Sequence, residues 1–105
     1  MKLLGYLWGM SERTAPALAK LDELLPILRS LPAGQDTDRI LEEGDALRRA
    51  VAAFHMEAIR FRMHNVDRLL KQGGASYPAL SRQVFEELRS ALEAAGFHTR
   101  SHTAP

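Results

Sequence analysis

Between the breakers Pro32-Ala33-Gly34 and Gly73-Gly74, the chain runs for nearly forty residues without a proline and with one internal glycine, Gly44. Asp36 and Thr37 stand at its start, where short polar side chains cap helices. The stretch therefore predicts one helix over 37–72, roughly 50 Å long at 1.5 Å per residue. Most helices in globular proteins are far shorter, so this element limits the folds open to the chain.

Two apolar stripes run along it at helical spacing. The first holds Ile40, Leu47, Val51, Phe54, Ala58, Phe61 and Leu69. The second lies about 100° further round and holds Ala52, Met56, Ile59, Met63, Val66 and Leu70. Its alternating spacings of four and three follow the coiled-coil pattern. A helix with two apolar faces needs two neighbours.

Shorter helices are expected on either side. Over 14–31, Leu18, Leu21, Leu24, Leu25, Leu28 and Leu31 form one stripe, with a proline kink at Pro26. Over 77–95, Leu80, Val84, Phe85, Leu88, Leu92 and Ala95 share a face. Gly96 is placed as a left-handed terminator, with Phe97 folding back onto Leu92. Short connections make neighbouring helices antiparallel. The expected fold is all-α, with three main helices in a short–long–short order. One apolar face of the long helix is then left for a second copy, which completes a four-helix-like core by dimerisation. Residues 1–13 form an apolar N-terminal segment, 14–97 a single helical domain, and 98–105 a flexible tail.

Charge along the central stretch suits an antiparallel pair. Asp36, Asp38, Glu42, Glu43 and Asp45 against Arg39 give a net of −4, and Arg48 to Lys71 gives +4. Acids at the start and bases at the end of a helix also suit its macrodipole without any partner.

Composition removes several functions. The 105 residues contain no cysteine, which excludes disulfides, thiolate metal sites and cysteine nucleophiles and places the chain in a reducing cytoplasm. A net charge of +1 does not single out a nucleic-acid binder. The opening apolar run holds two glycines, and Glu12 and Arg13 follow it. It is too short to span a bilayer.

Polar residues fall where the pattern expects burial. His55 and Arg62 lie between the stripes, and Asn65 falls inside the first. A buried charge needs a partner. An acid such as Glu87 would make Arg62 structural, whereas an unpaired Arg62 beside His55 would mark an anion site. His64 and Asp67 are spaced for a local hydrogen bond. His98 and His102 have ligand spacing but lack a third ligand. Glu42 and Asp45 supply one wall of an acidic magnesium site, but the first helix offers only Asp22 and Glu23 opposite. No cofactor site is expected.

In the opening segment Leu3, Leu4, Leu7 and Trp8 share one helical face. They either dock on the chain's own core or anchor a partner, Trp being enriched at interfaces; a membrane-surface contact ranks last. The pattern as a whole predicts a non-enzymatic interaction or assembly module acting as a homo-oligomer. Its interface is placed on Ala52, Met56, Ile59, Met63, Val66, Leu70 and Trp8. The alternative is a nucleic-acid-binding regulator using Arg49, Arg60, Arg68 and Lys71, and the third reading is a small all-α enzyme.

Overall fold

A computed structural model describes residues 2–99, with side chains from residue 12 onward. It contains four helices: α1 (Lys2–Arg29), α2 (Gln35–Ala52), α3 (Met56–Gly73) and α4 (Ala79–Ala94), with one 3-10 turn at Gly74–Ser76. No strand occurs among the described residues.

The long central helix of the sequence reading is two helices. Residues 53–55 turn the chain back, so α2 and α3 form an antiparallel hairpin. The turn is built like a Schellman motif. Ala53 caps α2, the Phe54 N–H donates to Val51 O (3.1 Å), and the His55 N–H donates to Ala50 O (3.0 Å). Glycine usually takes the left-handed position of that motif. Here Phe54 takes it, at φ 61°, a conformation that costs an L-residue about 1–2 kcal/mol. His55 then starts α3 as its N-cap, its Nδ1 accepting from the Ala58 N–H at 3.1 Å.

At its C-terminal end α4 uses the same device in its ordinary form. Gly96 (φ 99°) donates to Glu93 O, and the Phe97 N–H donates to Leu92 O at 2.9 Å. This stop is the one read from the sequence. Gly73-Gly74 likewise ends α3.

Folding the central stretch back changes who covers whom. α1 lies between α2 and α4, α3 packs on the far side of α2, and α3 closes against α4. Cross-links show every neighbouring pair to be antiparallel: Asp22–Arg48 and Arg29–Asp45, Lys20–Glu87 and Arg13–Ala95, Asp67–Arg89 and Leu70–Arg82. One chain thus completes a four-helix core that was expected to need two. The third helix of the sequence reading, now α4, lies mainly along α1 rather than covering half of a long helix.

The two stripes are mostly divided between the hairpin's arms, although α3 also buries Leu69 of the first. α2 buries Ile40, Leu47 and Val51 from the first, while α3 buries Ile59, Met63, Val66 and Leu70 from the second. They meet Ala17, Leu21, Leu24 and Leu28 of α1 and Val84, Phe85, Leu88 and Leu92 of α4 in one core. Gly44 lies against α1, where an added Cβ would come 2.7 Å from Leu25 Cδ2. The first helix is longer than expected, running through Pro16 and Pro26, both on its exposed side. Each proline removes one backbone donor.

Ser81, in the first turn of α4, is 0 % exposed, and its Oγ has no hydrogen-bond partner. A buried hydroxyl without a partner is destabilising. Ser81→Ala should therefore stabilise the bundle by about 1 kcal/mol. Urea unfolding checks this, and a loss of stability would show that the hydroxyl is bonded.

Candidate functional site

The predicted polar trio is split by the hairpin. Arg62 and Asn65 project from α3 toward α2, where both meet Glu43. Arg62 Nη1 donates to Glu43 Oε1 and Oε2 at 3.1 and 3.0 Å, and Asn65 Nδ2 donates to Oε2 at 3.1 Å. The partner of Arg62 is therefore Glu43 and not Glu87, which binds Lys20 on α1. Asn65 is buried, and the Glu43 side chain is 19 % exposed. The Arg62 guanidinium also lies 5.1 Å from the Phe61 ring centroid. His55, exposed and serving as the α3 N-cap, takes no part in this cluster.

A second polar cluster was missed from sequence. Arg89 lies on the core side of α4, and its side chain is 8 % exposed. Its Nη1 donates to the carbonyl and Oγ1 of Thr99 at 3.2 and 3.4 Å, and its Nε to Glu86 at 3.3 Å. Asp67 of α3 is 3.7 Å away, and the guanidinium lies over Phe85. Thr99, expected in the flexible tail, is thereby buried. Asp67, paired in the sequence reading with His64, reaches Lys71 and Arg89. The missed signal was a single arginine in phase with Phe85, Leu88 and Leu92.

Three of the four acids considered for a magnesium site are engaged by bases, Asp22 by Arg48, Glu23 by Lys20 and Asp45 by Arg29, and the fourth, Glu42, is exposed. Among the described residues no three His, Asp or Glu side chains converge as metal ligands do; His102 lies outside them. The Arg48 hydrogen bond holds the Asp22 carboxyl below its ordinary range, and Lys20 followed by Gln83 does the same for Glu87. Such contributions are present above the unfolded carboxylate pKa and lost as pH falls through the lowered folded value.

The interface residues of the sequence reading divide likewise. Ile59, Met63, Val66 and Leu70 are buried by the chain's own helices, which removes the reason for a second copy there. Ala52 and Met56 are exposed beside the turn. Of the four bases assigned to nucleic acid, Lys71 pairs with Asp67, and Arg60 lies 3.9 Å from Glu57. Arg49 and Arg68 are exposed, but the hairpin sets them near opposite ends of the bundle rather than along one helix.

Two ends of the bundle remain. At one, an open cleft of about 630 Å³ lies between the α1–α2 loop and Tyr77, with Leu31 and Leu69 among its apolar walls and Asp36, Arg39 and Gln72 on its rim. Tyr77 packs so closely over Gly73 that a methyl group there would collide with its ring. Burial, and then Asp36, raise the Tyr77 phenol above its usual range.

At the other end, the Phe54 and Phe97 rings meet edge to face at 5.1 Å. Arg13 lies over Phe54 at 5.4 Å and donates to Ala95 O at 2.8 Å. α2 and α4 both stop at this level. α1 does not: residues 2–11 carry its backbone roughly 15 Å further. The buried positions Thr14, Ala17, Leu21, Leu24 and Leu28 repeat every four and three residues. Extended backward, that repeat falls on Met10, Leu7 and Leu3. The side chain of Trp8, assigned to the interface, and those of Leu3 and Leu7, expected either to dock on the core or to anchor a partner, lie outside the described ones.

Arg62→Met keeps side-chain volume but leaves Glu43 with only Asn65. Stability should fall by about 1.5–3 kcal/mol, the range for charge-assisted hydrogen bonds, because the pair is only partly buried. Adding Glu43→Leu should restore most of that loss. Denaturant unfolding of single and double variants measures both steps, and a more stable Arg62→Met would mean that Arg62 is unbalanced.

No family model matches the chain, nor does any curated protein or solved structure.

Proposed function

We propose that the protein is a non-enzymatic interaction module that presents the N-terminal turns of α1 to another protein. One observation carries this reading: the repeat that packs α1 into its own core continues in phase beyond the level where α2 and α4 end. An apolar stripe of this kind suits a helix laid into a groove, read by anchors at successive turns. Leu3, Leu7 and Met10 would be the anchors. Trp8 and Leu4 widen the face on one side, and Trp combines large contact area with little conformational freedom to lose. The rest of the molecule acts as a rigid mount. Its polar side chains tie helix to helix, as in the Glu43 and Arg89 clusters.

Trp8 is the chain's single tryptophan, so its fluorescence reports this segment alone. In the isolated protein its emission should match that of a water-exposed indole. Deleting residues 1–10 should change bundle stability by no more than about 0.5 kcal/mol, as expected for surface changes. It should also remove binding of an apolar dye. A loss of several kcal/mol, with Trp8 emission already shifted to the blue, would show that the segment docks on its own bundle.

A further inference from the structure

The turn at residues 53–55 is the strained point of the described fold, and it contains neither glycine nor proline. We propose that it is a hinge for exchange between two copies of this chain: opened, it lets α2 and α3 run on as one helix, and α3–α4 of each copy packs on α1–α2 of the other.

Three observations support the exchange. First, the closed turn holds Phe54 at φ 61°, and an open helical turn removes that cost. Short hinges under strain favour swapping. Second, residues 47–60 are dominated by Leu, Arg, Ala, Met and Glu, which prefer helix. The core stripe steps eight residues from Val51 to Ile59 where a straight helix would use seven. One π-turn absorbs the extra residue.

Third, the interfaces that cross the hinge suit a two-fold partner. α1 packs on α4 and α2 on α3, so every such contact can re-form between chains without a new surface. The joined helix, over 35–73, is roughly 58 Å long. Two of them would lie antiparallel, the acidic 36–45 end of one beside the basic 48–71 region of the other. The midpoint between Glu43 and Arg62 falls at Ala52 and Ala53. Both are small and exposed in the closed chain, and both sit where the two long helices would cross. The opened form gives up the Phe54 contacts with Phe97 and Arg13. Concentration must therefore supply the bias, and the closed monomer is the dilute form.

Two sets of variants test this by light scattering after refolding at millimolar and at micromolar chain concentration. Wild type should yield a slowly dissociating dimer only at the higher concentration. Met56→Pro leaves the closed turn intact: His55 is already extended (φ −95°, ψ 95°), as a residue before proline prefers. Residue 56 is also the first position of α3, where proline is tolerated. The same proline blocks a continuous helix, so this variant should stay folded and monomeric at both concentrations. Glu43→Arg and Arg62→Glu each set like charges together within one chain. Refolded as a mixture they should give a 1:1 dimer that melts above either variant alone, since exchange restores an Arg–Glu pair at both places.

A dimer that forms equally well in Met56→Pro joins through another surface and overturns the proposal. So does a wild type that stays monomeric at millimolar concentration, or a mixture that melts like its components.

Discussion

Everything in this fold depends on the chain reversing at Phe54. A left-handed residue after a helix is ordinarily a glycine, because any Cβ there crowds the backbone. Phe54 accepts the crowding, and its ring is the compensation: it meets Phe97 edge to face and lies under the Arg13 guanidinium. Each such contact is worth about 0.5–1.5 kcal/mol, enough together to offset the strain. The reversal is therefore stabilised from outside the turn, by α1 and by the residues after α4. Local sequence and tertiary packing oppose each other here, and packing prevails in the closed chain.

Once the chain has turned, apolar burial alone would leave the arms free to slip, since stripes of Leu, Ile and Met tolerate neighbouring registers. Directional groups resolve this. Glu43 receives three hydrogen bonds from two residues one turn apart on α3, and a slip of one turn would break them together. Arg89 does the same for the opposite side, joining α4 to Asp67 of α3 and pinning Thr99. Of the α1 pairs, Asp22–Arg48 is exposed and Lys20–Glu87 is part-buried, with its carboxylate more open to solvent than that of Glu43, and pairs open to solvent contribute little. Register is held by the half-buried clusters.

Much of this was legible in the chain. Helix content, the stops at Gly73-Gly74 and Gly96, and the return of Phe97 onto Leu92 all rest on local rules about glycine and apolar spacing. The break at Phe54 was not legible by those rules, since neither glycine, proline nor asparagine marks it. A subtler sign was present. Apart from Asn65 and Leu69, the residues that turn out to be buried change stripe between Val51 and Ile59, and a helix that changes its buried face within about two turns has a reason to stop. Read as two faces of one helix, that change called for a second chain; read as a change of direction, it closes the core within one. Arg62 could be seen to need an acid, but choosing Glu43 over Glu87 required knowing that α2 lies beside α3. His55 looked chemical because one continuous helix would set it between the two apolar stripes, whereas the turn leaves it exposed as the N-cap of α3.

The strained turn and the projecting end of α1 share one end of the bundle, and Arg13 belongs to both. It sits just after the segment that extends past the other helices. From there it donates to Ala95 O, lies over Phe54, and stands 3.3 Å from where a Cβ on Gly96 would be. A ligand shifts a conformational equilibrium only by the difference in its affinity for the two states. Bias enters through Arg13, whose contact with Phe54 belongs to the closed turn. A bound partner that turns this guanidinium would therefore bias the turn, and by linkage the turn would act back on the partner by the same amount.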